Sequence, residues 1–163
     1  MQLYLRYALI TLALITLQTT IIPFTSIVNI IPDLLLIWIV YIAITSGQIP
    51  ATIFGFAIGL TMDLLSGQFL GLSALTKTIA GFLSGYFYNE NKIEMTLGNY
   101  QFLIFVAGMS FVHNVIYFVI FTQGSDVGFF TAIFRFGLFS TIYTTTLALI
   151  PYFIYSRSAS PFR

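Results

Sequence analysis

A chain of 163 residues that is 58% hydrophobic and only 7% charged is not built for water, because soluble domains carry about 25% charged residues. A net charge of +1 excludes an electrostatic grip on nucleic acid. The lack of cysteine removes disulfides, thiol catalysis and thiolate metal sites, and the single histidine, His113, leaves no histidine-rich metal cluster.

These bounds describe an integral membrane protein. A helix needs about 20 apolar residues to cross the hydrocarbon core, and clusters of Pro, Gly, Asn and Asp mark the breaks. The first apolar run, Tyr7 to Ile22, exceeds the ~7–15-residue core of a signal peptide, and no small-x-small cleavage site follows it. It is read as a retained span near 4–22. Further spans are predicted near 33–46, 49–66, 69–88, 97–122 and 128–156, the second and third parted only by Ser46-Gly47-Gln48. One or two of these can be broken or re-entrant. The longest polar connection is Asn89-Glu90-Asn91-Lys92-Ile93-Glu94, so no soluble domain is expected. The expectation is an all-α integral membrane protein, a single transmembrane domain over 1–163 with about six transmembrane helices.

With an even number of spans both termini share a side. Arg6, Lys92, Arg157 and Arg163 fall on it, while the opposite loops hold Asp126 and no Lys or Arg. The positive-inside rule places both termini in the cytoplasm. Tyr4, Tyr7, Tyr86, Tyr88, Tyr100, Tyr152 and Tyr155 lie near span ends on that side and are read as an interfacial aromatic belt.

Between 55 and 71 glycines recur every fourth position around one acid: Gly55, Gly59, Asp63, Gly67 and Gly71. Residues four apart share a helix face, and Ser73, Lys77, Gly81 and Gly85 repeat the arrangement in the next span. Small residues let helix backbones approach closely where lipid supplies no hydrophobic drive. The six glycines Gly55, Gly59, Gly67, Gly71, Gly81 and Gly85 are therefore expected to pack the third and fourth spans together.

An unpaired charge at mid-bilayer costs about 2.5–3.5 kcal/mol on insertion scales, so intramembrane charges face the interior and pair. The candidates are Asp63, Lys77 and Arg135, with Asp33 at a span edge and His113-Asn114 deeper. At about 1.5 Å per residue an Asp63–Lys77 contact is within reach of a snorkelling lysine stem, and Arg135 competes for Asp63 or reaches Asp33. Such a cluster serves to bind a polar solute, to carry protons, to fix helix order or to dock a partner's helix. The structural or docking roles are preferred. His113 is expected to hydrogen-bond across helices rather than to titrate in a mechanism.

No G-x-S-x-G turn, H-E-x-x-H pair or G-x-x-x-x-G-K-[ST] loop occurs, and Glu90, Lys92 and Glu94 read as a solvated patch. An acid pair of Asp33 and Asp63 lacks supporting context. The expectation is a protein without catalysis, metal or cofactor.

Two segments together resemble a family. Ile31-Pro32-Asp33-Leu34-Leu35-Leu36 precedes Gly55-Phe56-x-x-Gly59-Leu60-x-x-Asp63-Leu64-Leu65, then Leu70-Gly71-Leu72-Ser73-Ala74-Leu75 and the pair Gly81 and Gly85. This pattern is similar to that of the rod shape-determining membrane protein MreD family, most clearly over residues 31–85. The resemblance implies a scaffold of the bacterial cytoplasmic membrane, needed for rod shape and lateral peptidoglycan synthesis. Its implied partners are MreC, the actin-like MreB, and the elongation glycosyltransferase and transpeptidase, within the lipid bilayer. The family is also similar in architecture to the substrate-binding subunits of energy-coupling-factor transporters. That similarity implies the alternative, a vitamin-like solute-binding subunit. Oligomeric state is left open.

Overall fold

The computed structural model describes residues 2–26, 30–67, 69–124 and 128–158. Asp126 and Arg163, used above for orientation, lie outside the described residues, as does the side chain of Arg157. Among the described residues every extended element is a helix, and no strand occurs. In chain order it contains α1 (Gln2–Thr20), α2 (Leu34–Ser46), α3 (Gln48–Ser66), α4 (Leu72–Ser84), α5 (Ile93–Leu97) and α6 (Tyr100–Phe121). There follow the short turn α7 (Phe129–Thr131), a π-helical segment Ala132–Gly137, α8 (Leu138–Leu147) and α9 (Leu149–Ser158). Four segments are long and apolar enough to cross a membrane: α1, α3, α6 and Ala132–Ser156. This is a membrane protein.

The hub is α2. It is apolar all round, and Leu35, Leu36, Ile37, Ile39, Val40, Ile42, Ala43 and Ile44 are all buried, the pattern of a helix enclosed by others. One side packs against Leu97, Phe102, Val106 and Ala148; the others meet Tyr7 and Ala51, and Ile58. Thirteen residues make α2 about 20 Å long, shorter than a lipid-facing span, which is tolerable because its ends terminate inside protein.

Those ends require hydrogen-bond partners, since exposed helix-terminal amides are costly away from water. At the start of α2 the Gln18 side chain of α1 donates to the Pro32 carbonyl at 2.9 Å and accepts from the Leu34 amide at 3.0 Å. The Asp33 amide donates to Thr144 of α8 at 3.0 Å, and the Leu36 amide donates to the Asp33 carboxylate at 3.0 Å. Helices α1 and α8 are thereby pinned to the half-buried start of α2.

At the other end of α2, Tyr7 hydrogen-bonds Thr45 and Ser46, and the hydroxyls of Tyr41 and Tyr155 meet at 2.7 Å. This gathers the start of α1, the α2–α3 junction, the close of α4 and the end of α9 at one end of the bundle. The aromatic-belt reading needs correction for Tyr7. That ring is buried against Trp38 and Phe54, whereas Tyr4, Tyr86, Tyr88 and Tyr100 are exposed. Its hydroxyl finds partners inside the bundle, so it has no need of the headgroup region.

Two further differences concern boundaries. The span expected over 69–88 is helical only from Leu72 to Ser84, then tightens into a 3₁₀ turn at Gly85–Phe87. Part of the polar connection at 89–94 is also helical, opening α5 at Ile93.

A buried polar site at the far end of the bundle

The glycine seam positions the site. Helices α3 and α4 run antiparallel with backbones in contact. A Cβ added at Gly55 would lie 2.5 Å from the Lys77 carbonyl oxygen, and one at Gly81 would lie 2.5 Å from that of Ala51. At Gly59 an added Cβ would strike Ser73 and Ala74, and at Gly85 it would strike Gln48. No other side chain fits at these crossings. The packing role expected of Gly67 and Gly71 is corrected: an added Cβ there meets nothing within 4 Å. Both have positive φ, 63° and 95°, and they shape the turn that reverses the chain between α3 and α4.

Asp63 closes this turn. One of its carboxylate oxygens accepts from the amides of Gly71 at 2.9 Å and Ala74 at 3.1 Å, and the other from Ser73 at 3.0 Å. These are the orphan amides at the start of α4, whose capping residue, Gly71, has no side chain to offer. Asp63 is thus the N-cap of α4 supplied from the neighbouring helix, its charge also favoured by the helix dipole. The expectation that Lys77 or Arg135 neutralises Asp63 is overturned. Backbone amides hydrogen-bond its carboxylate instead, in a residue 1% exposed.

Lys77 instead forms an ion pair with Asp33. The lead-in to α2, held by Gln18 and Thr144, brings Asp33 against Lys77. His113 of α6 stands with Nε2 3.7 Å from the same Asp33 oxygen, beyond hydrogen-bond reach. Its Nδ1 is buried without a hydrogen bond of normal geometry, although the ring lies beside the Thr76 backbone.

His113 faces α4 through the Thr76 backbone, and Asn114 adds cross-helix hydrogen bonds of its own. The Asn114 amide nitrogen donates to the Gly137 carbonyl at 3.2 Å and to the Thr141 hydroxyl at 3.1 Å. This joins α6 to the end of the π-helical segment, where the widened turn disturbs the regular backbone ladder. Arg135 lies on that segment but is exposed. Its guanidinium sits 6.0 Å from the centre of the Phe136 ring and makes no ion pair among the described residues.

Asp33, Lys77 and His113 line a cleft of about 280 Å³, with Gln18, Ser73 and Asn114 in its wall. Among the described residues no group of three or more His, Cys, Asp or Glu is placed to hold a metal ion.

With this geometry in view, the family comparison is decisive over nearly the whole chain. A family model described as rod shape-determining protein MreD matches residues 1–158. The chain belongs to the MreD family. No curated protein and no solved structure matches it. The match extends well beyond residues 31–85, where the resemblance was legible, and it takes in Asn114, Arg135 and the π-helical segment of this MreD-family chain.

Three elements of the site had no visible signal in the sequence. Gln18 and Thr144 are uncharged residues that act through main-chain partners 14 and 111 positions away. The π-helical turn leaves no mark on hydropathy.

Proposed function

We propose that this MreD-family protein is a non-catalytic, multi-pass scaffold of the bacterial cytoplasmic membrane. It binds MreC and holds the elongation glycosyltransferase and transpeptidase, with MreB filaments, at sites of lateral wall synthesis. The chain crosses about six times within a single domain, its termini on the cytoplasmic side with Arg6 and Lys92.

The observation that carries this reading is where the intramembrane charges go. Asp63 is held by three amides and Asp33 by Lys77 and the Leu36 amide, so both acids hold helices in place. Around this rigid frame, large apolar side chains such as Leu9, Leu12, Phe56, Leu64 and Phe139 are exposed. In a bilayer such faces meet lipid or a partner's membrane helix.

The second reading, a solute-binding subunit similar to those of energy-coupling-factor transporters, draws on the polar cleft at Asp33, Lys77 and His113. Depletion of the protein in its own host separates the two. Loss of rod shape and of lateral wall incorporation, with vitamin uptake unchanged, is the scaffold outcome. Retained shape with impaired uptake of one vitamin would replace it with the second.

A further inference from the structure

The polar cleft does not end at its charged wall. A second cavity of about 300 Å³ adjoins it, lined by Phe118, Phe121, Ala132 and Phe136. Ile31, Phe118 and Ser140 line both, so the two are immediate neighbours. Asp33, Lys77 and His113 stand in the wall of the first among apolar neighbours, and aromatic rings line the second, so a compartment for a polar head adjoins one for an apolar chain. The π-helical segment contributes Ala132 and Phe136 to the apolar half, and π-helical turns concentrate at functional sites. Each half lies near the lower limit of ligand pockets, about 300 Å³.

The polar half specifies the kind of head. Lys77 carries three N–H donors, of which Asp33 takes one. The two Asp33 oxygens accept one hydrogen bond each from Lys77 and Leu36 and retain lone pairs. His113 lines the same cleft with Nε2 unbonded. The wall thus offers a cationic donor and an anionic acceptor within one cleft, matching a ligand that bears both charges. An anion alone would be repelled by Asp33, and a cation alone by Lys77.

We infer that the composite cleft binds a zwitterionic, amine-bearing phospholipid. Its phosphate lies against Lys77, its ammonium against Asp33 and His113, and one acyl chain lies along Phe118 and Phe136. The inference rests on membrane residence and stands apart from the scaffold reading, because the test below involves no partner protein.

Native mass spectrometry of the full-length protein in detergent, titrated with phosphatidylethanolamine, phosphatidylcholine and phosphatidylglycerol of equal chain length, provides that test. Phosphatidylethanolamine is retained roughly tenfold more tightly than the other two, the worth of one charge-assisted hydrogen bond. Phosphatidylcholine has no N–H to donate, and phosphatidylglycerol has no ammonium. Ser140→Phe, which fills the shared edge of the two cavities and gives up the Ser140 hydroxyl's bond to the Ile31 carbonyl, abolishes retention while the lipid-free protein still melts cooperatively. Should that variant fail to fold, Phe136→Ala weakens all three lipids alike and preserves their order, because it removes contacts to the chain only. Equal retention of the three lipids by the unaltered protein would overturn the proposal, as would undiminished retention in Ser140→Phe or Phe136→Ala.

Discussion

Lys77 of α4 pairs with Asp33 at the head of α2, and Asp63, the acid on its own glycine seam, is left to the backbone. This exchange of partners divides the labour of the two acids. Asp63 terminates a hairpin of two helices, whereas Asp33 ties that hairpin to the central helix and to α8.

The capping role of Asp63 predicts its mutational signature. Asp63→Ala leaves the amides of Gly71, Ser73 and Ala74 without an acceptor, at about 1–3 kcal/mol for each one that water cannot reach. The variant melts at a lower temperature in detergent and accumulates less in cells. Asp63→Asn, which keeps one carbonyl acceptor, falls between. Wild-type melting of Asp63→Ala would remove the capping role.

The ion pair predicts non-additive behaviour. Lys77→Met leaves Asp33 charged in a largely buried place and costs about 3 kcal/mol or more, whereas replacing both partners with uncharged groups costs less. In a double-mutant cycle, Lys77→Met combined with Asp33→Asn is therefore more stable than Lys77→Met alone. A strictly additive double variant would mean that the pair contributes nothing to the fold.

The glycines divide into two classes with different tolerances. Gly59→Ala and Gly85→Ala push a methyl into the opposing backbone and cost about 1–3 kcal/mol by overpacking. Gly108→Ala on α6, where an added Cβ meets nothing within 4 Å, is neutral or slightly stabilising. Thermal unfolding of the three variants side by side decides the matter, and equal stability of all three contradicts the seam.

Asn114 fixes the π-helical segment to α6. Asn114→Leu removes two cross-helix hydrogen bonds and leaves the Gly137 carbonyl only its bond from Thr141. Faster hydrogen exchange of the amides from 132 to 141, with α3 and α4 unchanged, is the expected result. Unaltered exchange there would show that Asn114 does not hold this segment.

The helices were largely legible because hydropathy and helix breakers act locally. Ser46-Gly47-Gln48 marks the α2–α3 junction, where Gly47 has φ 89°, and the start of α2 follows Pro32-Asp33 as predicted. The four-residue spacing of Gly55, Gly59, Gly81 and Gly85 also revealed which faces of α3 and α4 meet. Partner choice was not legible. Spacing along a helix gives depth and face, but Asp63 is satisfied by amides of the following turn, whose path depends on the positive φ of Gly67 and Gly71. Likewise Asp33 reaches Lys77 only because Gln18 and Thr144 draw the segment before α2 into the protein.

The scaffold role proposed for this MreD-family protein requires that it hold other membrane proteins. Its most direct test is purification of the tagged protein from its native membrane in mild detergent, with mass spectrometry of co-purifying proteins and retained small molecules. Recovery of MreC and the elongation synthases, without a stoichiometric vitamin, is the predicted result. An ATPase module or a vitamin at one per chain would contradict it.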